Sequence, residues 1–368
     1  GQRWCEIARP QIHGHDFRCT AIIPCPHEPG NFRYASGSEE KMIRVLEAPQ
    51  AFVDTLALAK TQSPQPFGTS QGYERALGAA VGALGLSNKA VFAEHAGQPN
   101  AGIGSGLEGG NYAEGPDLAP NAAPGAAAGP PLEEHLASNT LWPEIIKLYG
   151  HGSDLFALSA HPDGTLLAST CKAQIVPQAA IWLWDTSTWQ PLGKPLEAHG
   201  LTVTQLAFSP DGQHLLSASR DRTFALWARC TNAQPGDAQY DLLGKVKAHA
   251  RIIWTISWAP DGRHFATGSR DGTVKVWQLP TTGPPSKPLQ TISSFGKAAS
   301  VTALAFTPAP AAATATGAGS PAAQPQPATC LAVGLEDGSI SLCSMRENQP
   351  LLASCGDDHT VRIFSVHL

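Results

Sequence analysis

Charged residues are scarce in this sequence, and paired cysteine motifs are absent from it. Only 15% of the 368 residues are charged and the formal net charge is −5, so no general nucleic-acid or membrane surface is expected, although a local basic patch is compatible with these totals. No C-x-x-C pair and no zinc-finger spacing to paired histidines occurs, which argues against a metal or other cofactor. The eight cysteines are Cys5, Cys19, Cys25, Cys171, Cys230, Cys330, Cys343 and Cys355.

Long apolar runs and a secretory leader are missing as well. With no stretch of about 18 apolar residues, we expect no membrane anchor and no membrane partner. Cys171, Cys343 and Cys355 lie in β-like runs, where cysteine typically packs as a small apolar side chain. This favours a reducing compartment, which we expect to be the cytoplasm and also the nucleus. Because the chain begins with Gly1 and has only two methionines, we expect it to be part of a longer or processed product.

What the sequence does contain is an internal repeat. The runs 199–227 and 249–277 align without a gap at an offset of 50 residues. One polar or aromatic set, His199, Ser219, Asp221 and Trp227, recurs as His249, Ser269, Asp271 and Trp277.

Each repeat predicts a small antiparallel sheet. In the first copy the alternating run VTQLAF is followed by the turn S-P-D-G, the run HLLSAS, the turn R-D-R and the run TFALW. A fourth strand before the next histidine completes a four-stranded meander. One such sheet cannot bury both faces, whereas a ring of them can. The sequence therefore predicts an all-β propeller.

Weaker copies extend the pattern over most of the chain, giving five units and part of a sixth. Between Met345 and Leu351 there is no room for the two strands that should open the last unit. The predicted organisation is a first blade at 1–50, an insertion at 51–140 (ordered at about 51–92, a disordered low-complexity linker at about 93–131), and the remaining blades at 141–368 with a low-complexity loop at about 308–329.

The recurring His, Ser, Asp and Trp resemble those of WD-repeat propellers. The resemblance implies four-stranded blades of a seven-bladed ring, partly represented here, in which the four side chains form a structural hydrogen-bonded tetrad. A hydrolase triad is the competing interpretation of His, Ser and Asp. Recurrence in consecutive units disfavours it, because an active site occurs once.

More specific segments resemble the WD-repeat subunits of the Elongator complex, in the second of their two propellers. They include RPQIHGHDFRCTA, ALGLSNKA, NTLWPEIIKLYGHG and SRDRTFALW. The resemblance implies a non-catalytic scaffold that bridges the largest and the catalytic subunit of a complex that adds a carboxymethyl-type group to the wobble uridine of tRNA. The implied partners are those subunits, with tRNA contacted through the complex; iron–sulfur and acetyl-CoA chemistry belongs to another subunit.

Two other functions stay open. One is a general WD-repeat adaptor, such as a ubiquitin-ligase substrate receptor or a peptide reader. The other is a propeller enzyme, which would need carboxylates or histidines that converge on the central channel. The innermost strands offer mostly Thr, Gln and apolar side chains, so the enzyme is disfavoured.

Four arginines flank the repeated His and Asp positions: Arg220, Arg222, Arg251 and Arg270. In a meander, the loops that carry His and Asp emerge on one face, so the arginines are predicted to form a basic patch there. Arginine at such loops suits an acidic protein surface or an RNA backbone. The alternative is that they are ordinary solvated turn residues.

The insertion contains a second candidate contact. AFVDTLALAK has helical spacing, and the ALGLSNKA segment retains the specific resemblance. Long insertions with an ordered part are often binding elements. We therefore predict a subunit contact through Leu84, Leu86, Asn88 and Lys89; the alternative is that this segment packs under its own propeller.

Overall fold

The computed structural model divides the chain into two compact units, Gly1–Gly150 and His151–Leu368. It describes residues 5–10, 14–26, 31–60, 75–81, 87–92, 131–230, 239–281, 283–293, 295, 300–306, 330–344, 351–355 and 361–365. Both low-complexity segments lie almost wholly outside these residues. No helix within the described ranges is long and apolar enough to cross a membrane.

The first unit contains one four-stranded antiparallel sheet and the ordered parts of the insertion. Its elements are β1 (Phe17–Ile23), β2 (Arg33–Ser38), β3 (Met42–Glu47), α1 (Gln50–Lys60), β4 (Gly78–Val81), β5 (Asn88–Val91), α2 (Glu133–Asn139) and β6 (Glu144–Tyr149). The sheet order is β1-β2-β3-β6, and β4 pairs with β5 as a separate hairpin. The predicted return of LWPEIIKLYG as a fourth strand is confirmed by the pairing of β3 with β6. Strand β6 lies within the compact unit Gly1–Gly150.

Helix α1 is held against this sheet by a small aromatic cluster. Val53 and Trp142 are buried with Leu46 of β3, and the Phe52 and Trp142 rings meet edge to face with centroids 4.8 Å apart. Such pairs add to the stabilisation from area burial alone. The helical spacing of AFVDTLALAK is thus confirmed, and its apolar face accounts for its position.

The second unit is a series of antiparallel sheets. Their strands are β7 (Leu155–Ala160), β8 (Leu166–Cys171), β9 (Trp182–Asp185); β10 (Val203–Phe208), β11 (His214–Ser219), β12 (Thr223–Arg229), β13 (Tyr240–Lys247); β14 (Ile253–Trp258), β15 (His264–Ser269), β16 (Val274–Gln278), β17 (Gln290–Ile292); β18 (Val301–Phe306), β19 (Cys330–Leu335), β20 (Ile340–Ser344); and β21 (Leu351–Cys355), β22 (Val361–Ser365). Two of the sheets have four strands, two have three and one has two. The pairing of β21 with β22 confirms the predicted two-stranded end.

The sheet β7-β8-β9 lacks the predicted fourth strand. The segment that should form it contacts β9 and the residue before it through two isolated bridges, Trp184 with Pro191 and Ile181 with Leu196. Pro191 and Pro195 have no backbone N–H to donate, so a continuous ladder cannot form there. The segment still covers β9 but leaves the sheet incomplete.

The core of the second unit lies between successive sheets. One cluster joins Leu183 of β9 to Leu215 and Trp227 of the next sheet, and another joins Phe224 to Trp258 and Trp277 one sheet further. Innermost strands are also linked directly, since the Thr204 hydroxyl donates to the Ile253 carbonyl oxygen at 2.6 Å. The sheets from β7 to β20 therefore bury side chains against their neighbours in sequence.

Candidate functional site

A chain of hydrogen bonds crosses the sheet β10–β13 from its third strand, β12, to its loops. The Trp227 Nε1–H donates to the Ser217 hydroxyl at 3.0 Å, and that hydroxyl lies 2.9 Å from His199 Nε2. His199 Nδ1 is 3.3 Å from an Asp221 carboxylate oxygen. Because a carboxylate only accepts, this network assigns the ring proton to Nδ1, and Ser217 donates to Nε2.

The serine in this chain is Ser217, so the assignment of Ser219 to the tetrad is corrected. Ser217 pairs with Ala225 across β11 and β12, which places Trp227 diagonally beside it. Ser219 lies two residues further along the strand, beyond reach of the indole. Its hydroxyl instead lies 3.0 Å from the carbonyl oxygens of both Leu201 and Thr202 and accepts from the Asp221 amide.

The sheet β14–β17 repeats the arrangement with threonine in the central position. Trp277 Nε1–H donates to Thr267 Oγ1 at 3.0 Å, and that oxygen lies 2.8 Å from His249 Nε2. His249 Nδ1 is 3.2 Å from an Asp271 carboxylate oxygen. Ser269 bonds to the Ile252 carbonyl and the Asp271 amide, so its assignment to the tetrad is corrected in the same way.

The electrostatics keep both aspartates ionised. Burial alone would raise the pKa of Asp221, but hydrogen bonds from His199 and Thr223 outweigh it and lower that pKa well below its usual range. Lys245 adds an ion pair at 3.0 Å to the same carboxylate. The pKa of Asp271 is lowered in the same way, with Thr273 as the strongest donor against the opposing effect of burial.

The sheet β7–β9 carries only part of this network. His151 Nε2 lies 2.8 Å from Ser169 Oγ, which accepts from Trp184 Nε1 at 2.7 Å. The loop after β8 reads KAQIVPQ and offers no carboxylate, so His151 Nδ1 has no partner among the residues that the structure describes. Burial lowers the pKa of His151 to about 4, and the ring is neutral at neutral pH.

The His, Ser or Thr, Asp and Trp sets are unsuited to nucleophilic catalysis. The side chain of His199 is 1% exposed, and Ser217 is fully buried between the histidine and the indole. A nucleophile needs an approach path for its substrate, and here every polar atom of the chain is already engaged. In the described part of the chain, no cluster of three or more His, Cys, Asp or Glu side chains could hold a metal ion.

The four predicted arginines lie on the loops that carry Asp221, Asp271 and His249. Arg220, Arg222, Arg251 and Arg270 are all exposed. Backbone hydrogen bonds link their loops: the Arg220 amide donates to Thr202, the Ala248 amide donates to the Arg222 carbonyl oxygen, and the Arg270 amide donates to Ile252. The fixed backbone therefore presents the guanidinium groups to solvent.

Arg222 occupies a backbone conformation that normally selects glycine. Its φ is 70°, and the equivalent residue one sheet further is Gly272 with φ 75°. A side chain in the left-handed region costs about 1–2 kcal/mol. The arginine is thus present in spite of local strain.

The structure describes two of the four predicted contact residues of the insertion, and these two differ in burial. Asn88 is buried, and its side-chain amide donates to the carbonyl oxygens of Pro10 and Trp142 at 3.1 and 3.0 Å. This favours an internal role for Asn88, in line with the alternative that the segment packs under its own sheet. Lys89 is exposed, which is compatible with a contact. Leu84 and Leu86 lie outside the described residues.

Sequence reasoning overlooked one exposed feature on the histidine side of the second unit. The loop after β8 exposes Ile175 and Val176, and the loop before β10 exposes Leu201. The signal was present in the lengthened turn KAQIVPQ, whose apolar pair falls where other units have R-D.

Comparison with known proteins agrees with this architecture. The family described as WD domain, G-beta repeat matches residues 142–176, 189–228, 240–278 and 325–365. The sheets, the recurring tetrads and this match define the class: the chain is a WD-repeat β-propeller protein.

Within that class, similar proteins from a plant, an animal and a yeast share one name. Elongator complex protein 2 of Arabidopsis thaliana is 42% identical over 252 residues, which is 67% of this chain and 28% of that protein. The Homo sapiens protein of that name is 43% identical over 63% of this chain, and the Saccharomyces cerevisiae protein 36% over 61%. The resemblance indicated by the sequence motifs is confirmed, and the chain spans less than a third of the length of these relatives.

Proposed function

We propose that this chain is part of a non-catalytic scaffold subunit of an Elongator complex. In this role it bridges the largest and the catalytic subunit during carboxymethyl-type modification of the wobble uridine of tRNA. The observation that carries the proposal is the relationship to Elongator complex protein 2 across plants, animals and yeast. The name of those relatives supports subunit membership, and the bridging role is our extension.

In the described sheets, the buried histidines and aspartates that could serve in catalysis form structural hydrogen bonds instead. His199 and His249 are buried between a carboxylate and a hydroxyl, so they brace the loops on which the arginines stand. A network with all members satisfied rigidifies its surroundings. Rigid loops lower the ordering cost of binding, which suits a docking platform.

The exposed arginines are the proposed contact on this platform. The Asp221 carboxylate is paired with Lys245, and the Asp271 carboxylate is turned inward, where it accepts from the His249 ring. The loops therefore present positive charge on a chain whose net charge is −5. Arginine pairs bidentately with carboxylate or phosphate, so an acidic protein surface or an RNA backbone is the expected counterpart.

The test is reconstitution with the largest and the catalytic Elongator subunits, both purified separately. Tagged full-length chain should retain both subunits through size-exclusion chromatography. Arg220→Ala/Arg222→Ala should weaken assembly or tRNA retention at low salt, where such contacts are least screened. Arg263→Ala, which removes an exposed arginine from a turn between the first two strands of its sheet, is the matched control.

Failure of the unmodified chain to retain either subunit contradicts the proposal. A general WD-repeat adaptor would instead purify with ubiquitin-ligase components or other peptides and without Elongator subunits. Retention that is unchanged by the arginine variant would leave the scaffold role intact but remove the arginines from it.

A further inference from the structure

The unassigned apolar loop and the arginine loops form one connected surface. Ile175 and Val176 sit in a turn that is closed on itself, because the Gln178 amide donates to the Ile175 carbonyl oxygen at 3.1 Å. The turn is tied to the loop of Leu201: the Thr202 amide donates to Ala173 at 3.1 Å, and the Ala173 amide donates to the Thr202 hydroxyl at 2.9 Å.

The arginine loops continue from the same point. The Thr202 carbonyl oxygen also accepts from the Arg220 amide at 3.0 Å. Beyond it, the Ala248 amide binds the Arg222 carbonyl, and Ser269 bonds to the Arg251 carbonyl. Backbone hydrogen bonds therefore connect the apolar turn to the arginines without a flexible segment between them.

The apolar members expose a large part of their aliphatic side chains on loops whose backbone is held by hydrogen bonds. Ile175 is 54% exposed, Val176 44% and Leu201 40%. A single exposed aliphatic residue is ordinary, whereas several grouped beside unneutralised charge are typical of an interaction site. The surface combines two kinds of recognition, apolar anchoring and charge pairing.

The charge balance of the surface selects an acidic partner. Its lysine and its nearest carboxylates are paired internally, Lys172 with Asp154 at 3.0 Å and Asp221 with Lys245 at 3.0 Å. Glu197 and the inward-turned Asp271 are the remaining acidic residues of these loops, against four exposed arginines. A carboxylate-bearing ligand is therefore favoured over a basic one.

The chemistry of the apolar members favours a peptide over RNA. Proteins that bind single-stranded nucleic acid stack bases on aromatic side chains, and the exposed apolar side chains here are all aliphatic. Aliphatic surface instead accommodates a Leu, Ile or Phe side chain of an extended segment.

We propose that this surface binds an extended acidic peptide segment that carries one large apolar anchor. The anchor packs on the aliphatic side chains, and flanking carboxylates pair with the guanidinium groups. We call it the apolar–arginine surface, formed by Ile175, Val176, Leu201, Arg220, Arg222 and Arg251. The inference rests on the proposed scaffold role and names the partner chemistry for it.

The test begins with selection of random dodecapeptides on immobilised full-length chain at low salt. Enriched peptides should contain at least two Asp or Glu residues within about five positions of a large apolar residue. A fluorescein-labelled consensus peptide is then titrated by anisotropy. Ile175→Ser/Val176→Ser should weaken its binding at least about tenfold with an unchanged salt dependence, since anchoring on apolar surface is insensitive to screening.

Substitution of the arginines tests the contribution of charge pairing to peptide binding. Arg220→Ala/Arg222→Gly should weaken binding by a similar factor and flatten the salt dependence, whereas Arg263→Ala should leave it unchanged. All variants change exposed side chains, and thermal melting verifies that each remains folded. Oligouridylate of 15 nucleotides should bind more weakly than the peptide and should not respond to the Ile175/Val176 substitutions.

Several outcomes overturn the inference. They are selection without acidic and apolar enrichment, peptide binding that ignores the Ile175/Val176 substitutions, and oligouridylate that binds through the arginines while peptides do not. Assembly of the unmodified chain with Elongator subunits alongside such a result refutes this inference alone. Failure of assembly refutes the proposed function, whatever the peptides do.

Discussion

Two sheets of the second unit show how one network can be complete in one place and truncated in the next. In β10–β13 the chain runs from Trp227 through Ser217 and His199 to Asp221, and every member has a partner. In β7–β9 it stops at His151, whose Nδ1 meets no acceptor among the described residues. The truncated sheet also has the prolines that interrupt its fourth strand.

The difference follows from what occupies the loop between the second and third strands. Where the loop is the short R-D-R, its aspartate bridges back to the histidine and fixes the turn. Where the loop is lengthened to KAQIVPQ, the carboxylate is lost, and two aliphatic side chains are exposed instead. The sheet β10–β13 thus has a rigid loop, whereas the sheet β7–β9 has a loop with exposed apolar side chains. Both loops form hydrogen bonds to Thr202.

The largest expected effect comes from converting the complete network into the truncated one. Asp221→Ala should lower the free energy of unfolding by about 3 kcal/mol, because His199, Thr223 and Lys245 all lose a buried or half-buried ionic acceptor. Urea denaturation measures it. The control is Asp154→Ala: its ion pair with Lys172 is only half-buried, so its loss should cost less than about 1 kcal/mol. Equal effects of the two substitutions would contradict the comparison.

An intermediate effect is expected from pH acting on the truncated sheet. The pKa of His151 is lowered to about 4 by burial, so the unfolded chain binds its proton more readily than the folded chain does. The resulting stability is present above the unfolded pKa of about 6.5 and is lost as pH falls toward 4. Between pH 7 and pH 5 His151 alone should remove about 2 kcal/mol.

Urea denaturation across that range tests the assignment. His151→Asn removes the titrating group. The loss of unfolding free energy between pH 7 and pH 5 should therefore be smaller by about 2 kcal/mol in the variant, although the variant is less stable at pH 7. His249, whose pKa burial also lowers, contributes with the same sign and remains in both proteins. An unchanged slope in the variant would show that His151 is not buried and neutral.

The smallest effect concerns the turn at which the two complete sheets differ. Arg222→Gly should raise the free energy of unfolding by roughly 0.5–1 kcal/mol, because glycine relieves the left-handed strain but adds freedom to the unfolded chain. Gly272→Arg should lower it by about 1 kcal/mol. Thermal denaturation of both variants measures the pair. Destabilisation by Arg222→Gly would mean that the guanidinium is a structural group rather than one presented to a partner.

Much of this architecture is predictable from the sequence because it repeats. Two copies with four landmarks at one offset indicate the blades, and the alternating runs between turn residues locate the strands β10–β12 and β14–β16. The loop face also follows, since a meander returns its histidine and aspartate loops to the same side, where the structure joins His199 to Asp221.

The tetrad serines were predicted wrongly because they were chosen by residue identity between the two repeats and not by their position in the sheet. Ser219 and Ser269 are the same residue in both copies and therefore stood out, whereas the functional position holds Ser217 in one copy and Thr267 in the other. Only the cross-strand register shows which hydroxyl lies beside the indole. Likewise, nothing in the ALGLSNKA segment itself shows that Asn88 binds the carbonyl oxygens of Pro10 and Trp142, residues distant in sequence.

The most direct measurement is a double-mutant cycle in the complete sheet. Trp227→Phe and Ser217→Ala each remove one member of the same hydrogen bond, so their effects on the free energy of unfolding should be non-additive by about 1–2 kcal/mol. The cycle of Trp227→Phe with Ser219→Ala should be additive to within about 0.5 kcal/mol. Coupling to Ser219 instead, or no coupling in either cycle, would contradict a platform braced by buried tetrads.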